Sequence, residues 1–311
     1  MDKYENEDLT QIDEHTWQEM SASTYSNKSL AKTFALAKTI ERIAPDIIAL
    51  SEVGGRESFE NFNRYFLGEA YDVYMIEGNS NRGIDLGYLV KRTLPFHFKI
   101  KSHKKHPLMF LYPDEKVKLT AKTSHKFSRD VLELRMYDEN HKHWFIFLIV
   151  HLKSKLDPDR RDPEGRKRRA AELRNLIDIY LDLEKKYPQT PIILTGDFNG
   201  KATAEFEPEF ADLYERSDLA DFGQILGMSE DSLTSYLFFT DNEVYKQQLD
   251  YFFISQKYSS LLVKDECRFA PFSDYEGKVL PKAANLQEKL DAPSDHYGIE
   301  IGFDLSTHPL V

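Results

Sequence analysis

The chain has 311 residues, of which 41% are hydrophobic, 30% charged and 13% aromatic, enough apolar material for a sizeable core in one large α/β domain or two average ones. A formal net charge of -11 excludes recognition of nucleic acid by a global positive field, so an anionic substrate must be drawn by local charge or by metal. The single cysteine, Cys267, excludes an internal disulfide framework and a multi-Cys zinc site, and no apolar run approaches a membrane span.

Residues 1–27 are polar and acidic without a period, which predicts a loop or poorly ordered arm. They also lack the charged-then-apolar pattern of a signal peptide. From Lys28, the positions Leu30, Phe34, Ala37, Ile40 and Ile43 keep helical spacing, with Asn27 as cap and Pro45 as stop. Residues 46–52 read as a short buried strand entering a Gly-Gly loop, and a second amphipathic helix fits 57–67. Residues 71–77 and 86–91 read as neighbouring strands joined by the turn-rich 78–83. The Lys/His-rich stretch 99–106 is the least regular interior segment. Residues 131–136 alternate and pair with 144–150 as a hairpin. The clearest helix, 166–186, carries a stripe of Leu173, Leu176, Ile177, Tyr180 and Leu181, and a buried strand follows at 191–196. The last two strands are expected at 249–255 and 298–305. With no repeat or linker, the chain reads as an arm (1–27) and a single domain (28–311). The domain is of mixed α/β (α+β) class, two packed sheets flanked by helices.

Polar residues recur at the ends of the apolar strands. Glu52 ends one, His151 another, and Asp197 and Asn199 a third; Asp250 opens a fourth, and Asp295-His296 precede the last. A rigid sheet presents such side chains to a shared cleft. The segments "PDIIALSEV", "RGIDLGYLVKR", "VHLKSK", "ILTGDFN", "QLDYFFIS" and "PSDHYGI" occur in the order and approximate spacing of the endonuclease/exonuclease/phosphatase superfamily, which the chain resembles over roughly residues 30–305. That superfamily includes deoxyribonuclease-I-like nucleases, abasic-site endonucleases, sphingomyelinases and inositol phosphatases.

The resemblance implies a four-layer α/β/β/α sandwich with the cleft at one edge of the two sheets. It implies Glu52 as an acidic ligand for Mg²⁺, with Mn²⁺ or Ca²⁺ as other fits, since a carboxylate oxygen suits these ions. His296 is the expected phosphate-binding or water-activating His, with Asp295 orienting it or contacting metal. Asp197 and Asn199 match the pair that positions the water and stabilises the developing charge. His151 matches the second His, and Asp250 the carboxylate that supports it. Asp85 lies where relatives carry an acid that buttresses a catalytic His, and Arg82 in the same loop is expected to hold a phosphate. Relatives also begin with a core strand ending in a metal-binding Asn, and no apolar run precedes the first helix here. The expectation is a sheet lacking one central strand, an incomplete metal shell and weakened activity. The compartment is left open: cytoplasmic as the sequence stands, secreted or periplasmic if an upstream segment belongs to it.

Residues 151–174 hold nine Lys or Arg against five acids, a local positive excess beginning beside His151. Lys153 and Lys155 are the nearest of these. Such a run is expected to track a polyanionic backbone, although a solvated helix start is the plainer account. Tyr236, Phe238, Phe239 and Tyr251 include residues able to stack a base, most being expected in the core. No exposed aromatic hairpin of the membrane-inserting kind is evident. The leading expectation is a metal-dependent nuclease or phosphodiesterase acting on DNA or RNA, monomeric and without an implied protein partner. Hydrolysis of a small or lipid phosphate ester is the alternative, and an inactive nucleic-acid-binding module is a third.

Overall fold

The strands follow where apolar alternation is strongest and, in chain order, are β1 (Ile47–Val53), β2 (Tyr71–Met75), β3 (Asp85–Lys91), β4 (His97–Ser102), β5 (Val131–Tyr137), β6 (His143–His151), β7 (Ile192–Asp197), β8 (Leu219–Asp221), β9 (Tyr236–Phe239), β10 (Val244–Gln247), β11 (Asp250–Ser255), β12 (Arg268–Phe269) and β13 (Ile299–Glu300). They come from a computed structural model that describes residues 8–20, 28–117, 124–157, 159–203, 206–240 and 243–310. One sheet has the order β1-β3-β2 and is antiparallel. The other has the order β4-β5-β6-β7-β11-β8, antiparallel except for the β6–β7 pair. That parallel step needs a crossover, which the helix Arg166–Lys186 provides.

Strand alternation sorts side chains into three apolar layers. On β6, Ile146, Leu148 and Val150 meet Leu173, Leu176, Ile177 and Tyr180 of the crossover helix. Phe145, Phe147 and Ile149 point the other way, toward Leu86, Tyr88 and Val90 of β3. The Tyr88 hydroxyl pins the two sheets together, donating to Leu132 O at 2.8 Å and accepting from Ile149 N–H at 2.9 Å. Beyond the smaller sheet, Leu30, Ala37 and Ile40 of helix Leu30–Ile43 and Phe59 and Phe66 of helix Arg56–Phe66 cover Met75 and Leu89. The result is the four-layer α/β/β/α sandwich.

Several elements differ from expectation. Asn27 lies outside the described residues, and Ser29 caps the first long helix by accepting from Lys32 N–H. Part of the arm is structured: the helix Glu14–Glu19 buries Trp17, whose Nε1 donates to Lys28 O at 2.7 Å. The Lys/His-rich stretch contributes edge strand β4, with Phe98 and Ile100 half-buried and His97, Lys99 and Lys101 turned outward. Lysine on an edge is a common guard against further strand pairing. β1 is only half-buried, because among the described residues it pairs with β3 alone. The strand expected at 298–305 contracts to β13, with Phe303 making only an isolated bridge to Leu262. Among the described residues no helix is long and apolar enough to cross a membrane.

Candidate active site

Register assembles the site. The parallel β6–β7 pairing sets His151 beside Asp197, and the antiparallel β7–β11 pairing sets Asp197 beside Asp250. Three polar strand ends are thereby placed on adjacent strands about 4.7–4.9 Å apart. Gly196 makes the approach possible: its φ is 122°, and a Cβ there would collide with Val150 O. His296 arrives from the segment before β13, where it bridges Tyr236, with ring centroids 5.0 Å apart.

The hydrogen bonds assign partners. Asp250 Oδ2 lies 2.7 Å from His296 Nδ1. Asp197 Oδ1 accepts Asn199 N–H at 2.7 Å, and its Oδ2 accepts Asn199 Nδ2 at 2.8 Å. Asn199 takes φ 54°, a left-handed conformation that Asn tolerates, and its Nδ2 also donates to Leu152 O at 3.1 Å. His151 is 5% exposed, with Nε2 3.4 Å from Asp197 Oδ2; its buried Nδ1 has no partner among the described residues.

Charge follows from these contacts. Burial opposes the His296 cation, but the Asp250 hydrogen bond and the charges of Asp250, Asp197 and Asp295 outweigh it and push its pKa up to about 9. Burial, with Arg129, His296 and Arg82 nearby, pushes His151 down to about 3, so this imidazole is neutral. Burial first, and then the Asp250 charge, raise the Asp197 carboxyl.

Three of these residues fit a divalent metal in chemistry. Asp197, Asp250 and His296 each offer one ligand atom, all within 4.8 Å of one another. The carboxylate oxygens suit Mg²⁺ or Mn²⁺, and the imidazole nitrogen would join them only in its neutral form. Glu52 is not in this cluster. It is exposed, with φ 60°, at the irregular end of β1. Asp295 is also outside the cluster. The Glu52 and Asp295 charges also act on Lys28, whose ammonium donates to Pro293 O at 2.5 Å and is pushed down by burial and by Lys32.

Other expected residues take different places. Asp250 supports His296, whereas the resemblance assigned it to His151; β11 carries it past the β6 end toward the 294–296 segment. Both Asn199 Nδ2 contacts go to protein oxygens, which makes Asn199 a positioning residue for Asp197. Asp85 is buried and accepts Gly78 N–H at 2.8 Å, closing the 78–83 loop; it touches no histidine. Arg82 is exposed in that loop, near enough for its charge to reach His151. Lys153 sits beside the cleft, with Nζ donating to Ser154 O at 3.0 Å. Lys155 is turned away and paired with Glu207 at 2.9 Å.

The basic run is largely neutralised by ion pairs: Arg161 with Asp114 and Glu115, Arg166 with Glu164, Arg168 with Glu172, Arg169 with Glu209 and Arg174 with Asp212. It does not form a continuous track. Tyr251 is buried, its hydroxyl accepting Ala202 N–H at 2.9 Å. An exposed aromatic hairpin does exist: Phe238 of β9, 49% exposed, pairs across with Tyr245 of β10, 46% exposed.

Arg129 is the main residue that sequence reasoning missed. It is 7% exposed, donates to Leu152 O at 3.2 Å and acts on His151 and, through its own environment, on Asp197 and Glu52. The available signal was its place one residue before the polar–apolar boundary at Asp130–Val131, the same strand-end position that marked the others.

The family model described as "Endonuclease/Exonuclease/phosphatase family" matches residues 21–296. No curated protein sequence matches the chain. Among solved structures, the human Nocturnin catalytic domain with bound sulfate anion is similar at TM-score 0.57 and 16% identity, covering 88% of this chain and 86% of that one. TDP2 from D. rerio, complexed with single strand DNA product, is similar at TM-score 0.57 and 15% identity over 88% and 92% of the two chains. A mannosyl-6-phosphatase from Bacteroides thetaiotaomicron is similar at TM-score 0.54 and 13% identity over 88% and 90%. Identities this low speak to the fold, while the family match covers most of the chain and supports phosphoester hydrolysis as its chemistry. The chain belongs to the endonuclease/exonuclease/phosphatase family.

Proposed function

We propose that this chain is a Mg²⁺-dependent phosphodiester hydrolase acting on nucleic acid, with DNA as the first substrate to test. The observation that carries this reading is the convergence of Asp197, Asp250 and His296 beside buried Arg129, an anion-binding cation next to a general-base carboxylate. Asp197, its carboxyl raised by burial and Asp250 and held by two Asn199 bonds, takes the proton of the attacking water. His296, cationic and fixed at Nδ1 by Asp250, presents Nε2 to a non-bridging phosphate oxygen. Neutral His151 lies with Nε2 3.4 Å from Asp197 Oδ2, and Arg129 offsets the phosphate charge. A divalent metal held by the Asp197 and Asp250 carboxylates would supply Lewis-acid stabilisation of the phosphate.

The test is cleavage of plasmid and single-stranded DNA with Mg²⁺ or Mn²⁺. Cleavage abolished by EDTA and by His296→Ala supports the reading; intact DNA alongside turnover of another phosphate ester overturns it. The exposed Phe238–Tyr245 pair favours a second reading, a lipid phosphoesterase whose hairpin meets the membrane beside His296. Release of a phosphorylated headgroup from vesicles, lost in Phe238→Ser, would favour it.

A further inference from the structure

A cavity of ≈ 450 Å³ opens between Asn79 of the 78–83 loop, the 124–128 segment, Lys153 and Arg168. Its size suits a nucleotide unit. Lys153 stands two residues after His151, just past the end of β6. Arg129 joins the two places: it follows Ser128 of the cavity wall and donates to Leu152 O, between His151 and Lys153, at 3.2 Å.

The charge balance of this cavity is positive. Two carboxylates bond its walls: Glu115, 2.6 Å from His125 Nε2, and Glu172, which is 1% exposed. Glu172 accepts Ser128 N–H and Lys153 N–H, each at 2.7 Å, and Arg168 Nε at 3.3 Å. Glu172 therefore braces the walls and pairs with Arg168, and its charge also reaches Lys153. Arg168 in turn holds the 124–128 segment through Lys126 O at 2.7 Å. Lys126 is exposed, and Lys153 Nζ donates only to the backbone carbonyls of Ser154 and Leu156 among the described residues. Asn79, fixed by its Nδ2 bonds to Lys104 O at 2.7 Å and Phe127 O at 3.0 Å, closes the opposite wall.

We propose that this cavity is a subsite for the phosphate next to the scissile one, with Lys126 and Lys153 as its cations. The preferred substrate is then a single-stranded polynucleotide with at least one flanking phosphate, in preference to an isolated diester. This inference rests on the nucleic-acid reading above and goes beyond it by placing the second phosphate.

The experiment compares kcat/KM for a single-stranded oligodeoxynucleotide with kcat/KM for bis(p-nitrophenyl) phosphate, which has no flanking phosphate. It uses the full chain, Lys126→Glu and Lys153→Gln, with circular dichroism to verify folding. Binding of the same oligonucleotide in a His296→Gln background is measured alongside. The expected result is about a tenfold fall in the oligonucleotide-to-diester ratio for each variant. The slope of log affinity against log salt should become shallower by about 0.7 per lost contact. If the starting protein cleaves the oligonucleotide and both variants keep its ratio and salt slope, the subsite is wrong and the nuclease reading stands. If the starting protein cleaves the small diester yet neither binds nor cuts the oligonucleotide, the nucleic-acid reading falls, and the subsite with it.

Discussion

Asp250→Asn keeps the size of the side chain at the β11 end and removes the charge that faces His296 across 2.7 Å. In the present arrangement the imidazole is raised from 6.5 to about 9, which at 1.36 kcal/mol per unit corresponds to about 3.4 kcal/mol favouring the cation. Asp197 and Asp295 share that effect, so loss of Asp250 should lower the His296 pKa by about 1–2 units, within the usual range for an adjacent opposite charge. Imidazole NMR titration of the metal-free protein measures this directly. The stability sign is defined too. A cation with a raised folded pKa stabilises fully below its unfolded value of 6.5, and that stabilisation fades as pH rises through about 9. The unfolding free-energy gap between the two proteins should therefore be widest below about pH 6.5 and close above about pH 9. With His296 no longer held as a cation, kcat should fall about 10²–10⁴-fold. An unchanged His296 midpoint, or unchanged kcat, would refute the Asp250–His296 partnership.

Gly196→Ala forces a Cβ against Val150 O at φ 122°, so it should both destabilise the protein by about 2 kcal/mol or more and displace Asp197. Urea denaturation together with kcat measures both, and a variant of native stability would show that β6 and β7 are not packed as described. Arg169→Met strands the buried Glu209 carboxylate and removes donors to Lys153 O and Glu164 O, both at 2.9 Å. The expected loss is about 3–5 kcal/mol; a loss under about 1 kcal/mol in the same urea assay would count against a buried pair. Asp130 is pushed up to about 7 by burial, against the lowering effect of its Ser102 hydrogen bond, and its Oδ1 has no partner among the described residues. Its raised folded pKa makes it a stability cost that grows as pH climbs from about 4 to about 7. Asp130→Asn should thus stabilise by about 2–4 kcal/mol at pH 8 and have little effect near pH 4. Melting curves at the two pH values would expose an error as a pH-independent difference.

The chain order of apolar runs was enough to place the sheets, the crossover helix and the polar residues at strand ends, because burial imposes periods of 2 and 3.6 that a sequence displays directly. The motifs at those ends were enough for the family. What the sequence did not hold was which end meets which. Asp250 faces His296 rather than His151 only because β11 pairs antiparallel with β7 and the 294–296 segment folds back over Tyr236. The same limit applies to charge. Lys155, Arg161, Arg166, Arg169 and Arg174 read as a basic track, yet their partners lie at Glu207, Asp114, Glu164, Glu209 and Asp212. Most of these acids are distant in sequence, and only folding brings them close. Arg129 and the Phe238–Tyr245 pair were likewise decided in three dimensions. Periodicity records which face of an element is buried, whereas pairing, neutralisation and pKa depend on distances between elements, and those exist only once the sheets have packed.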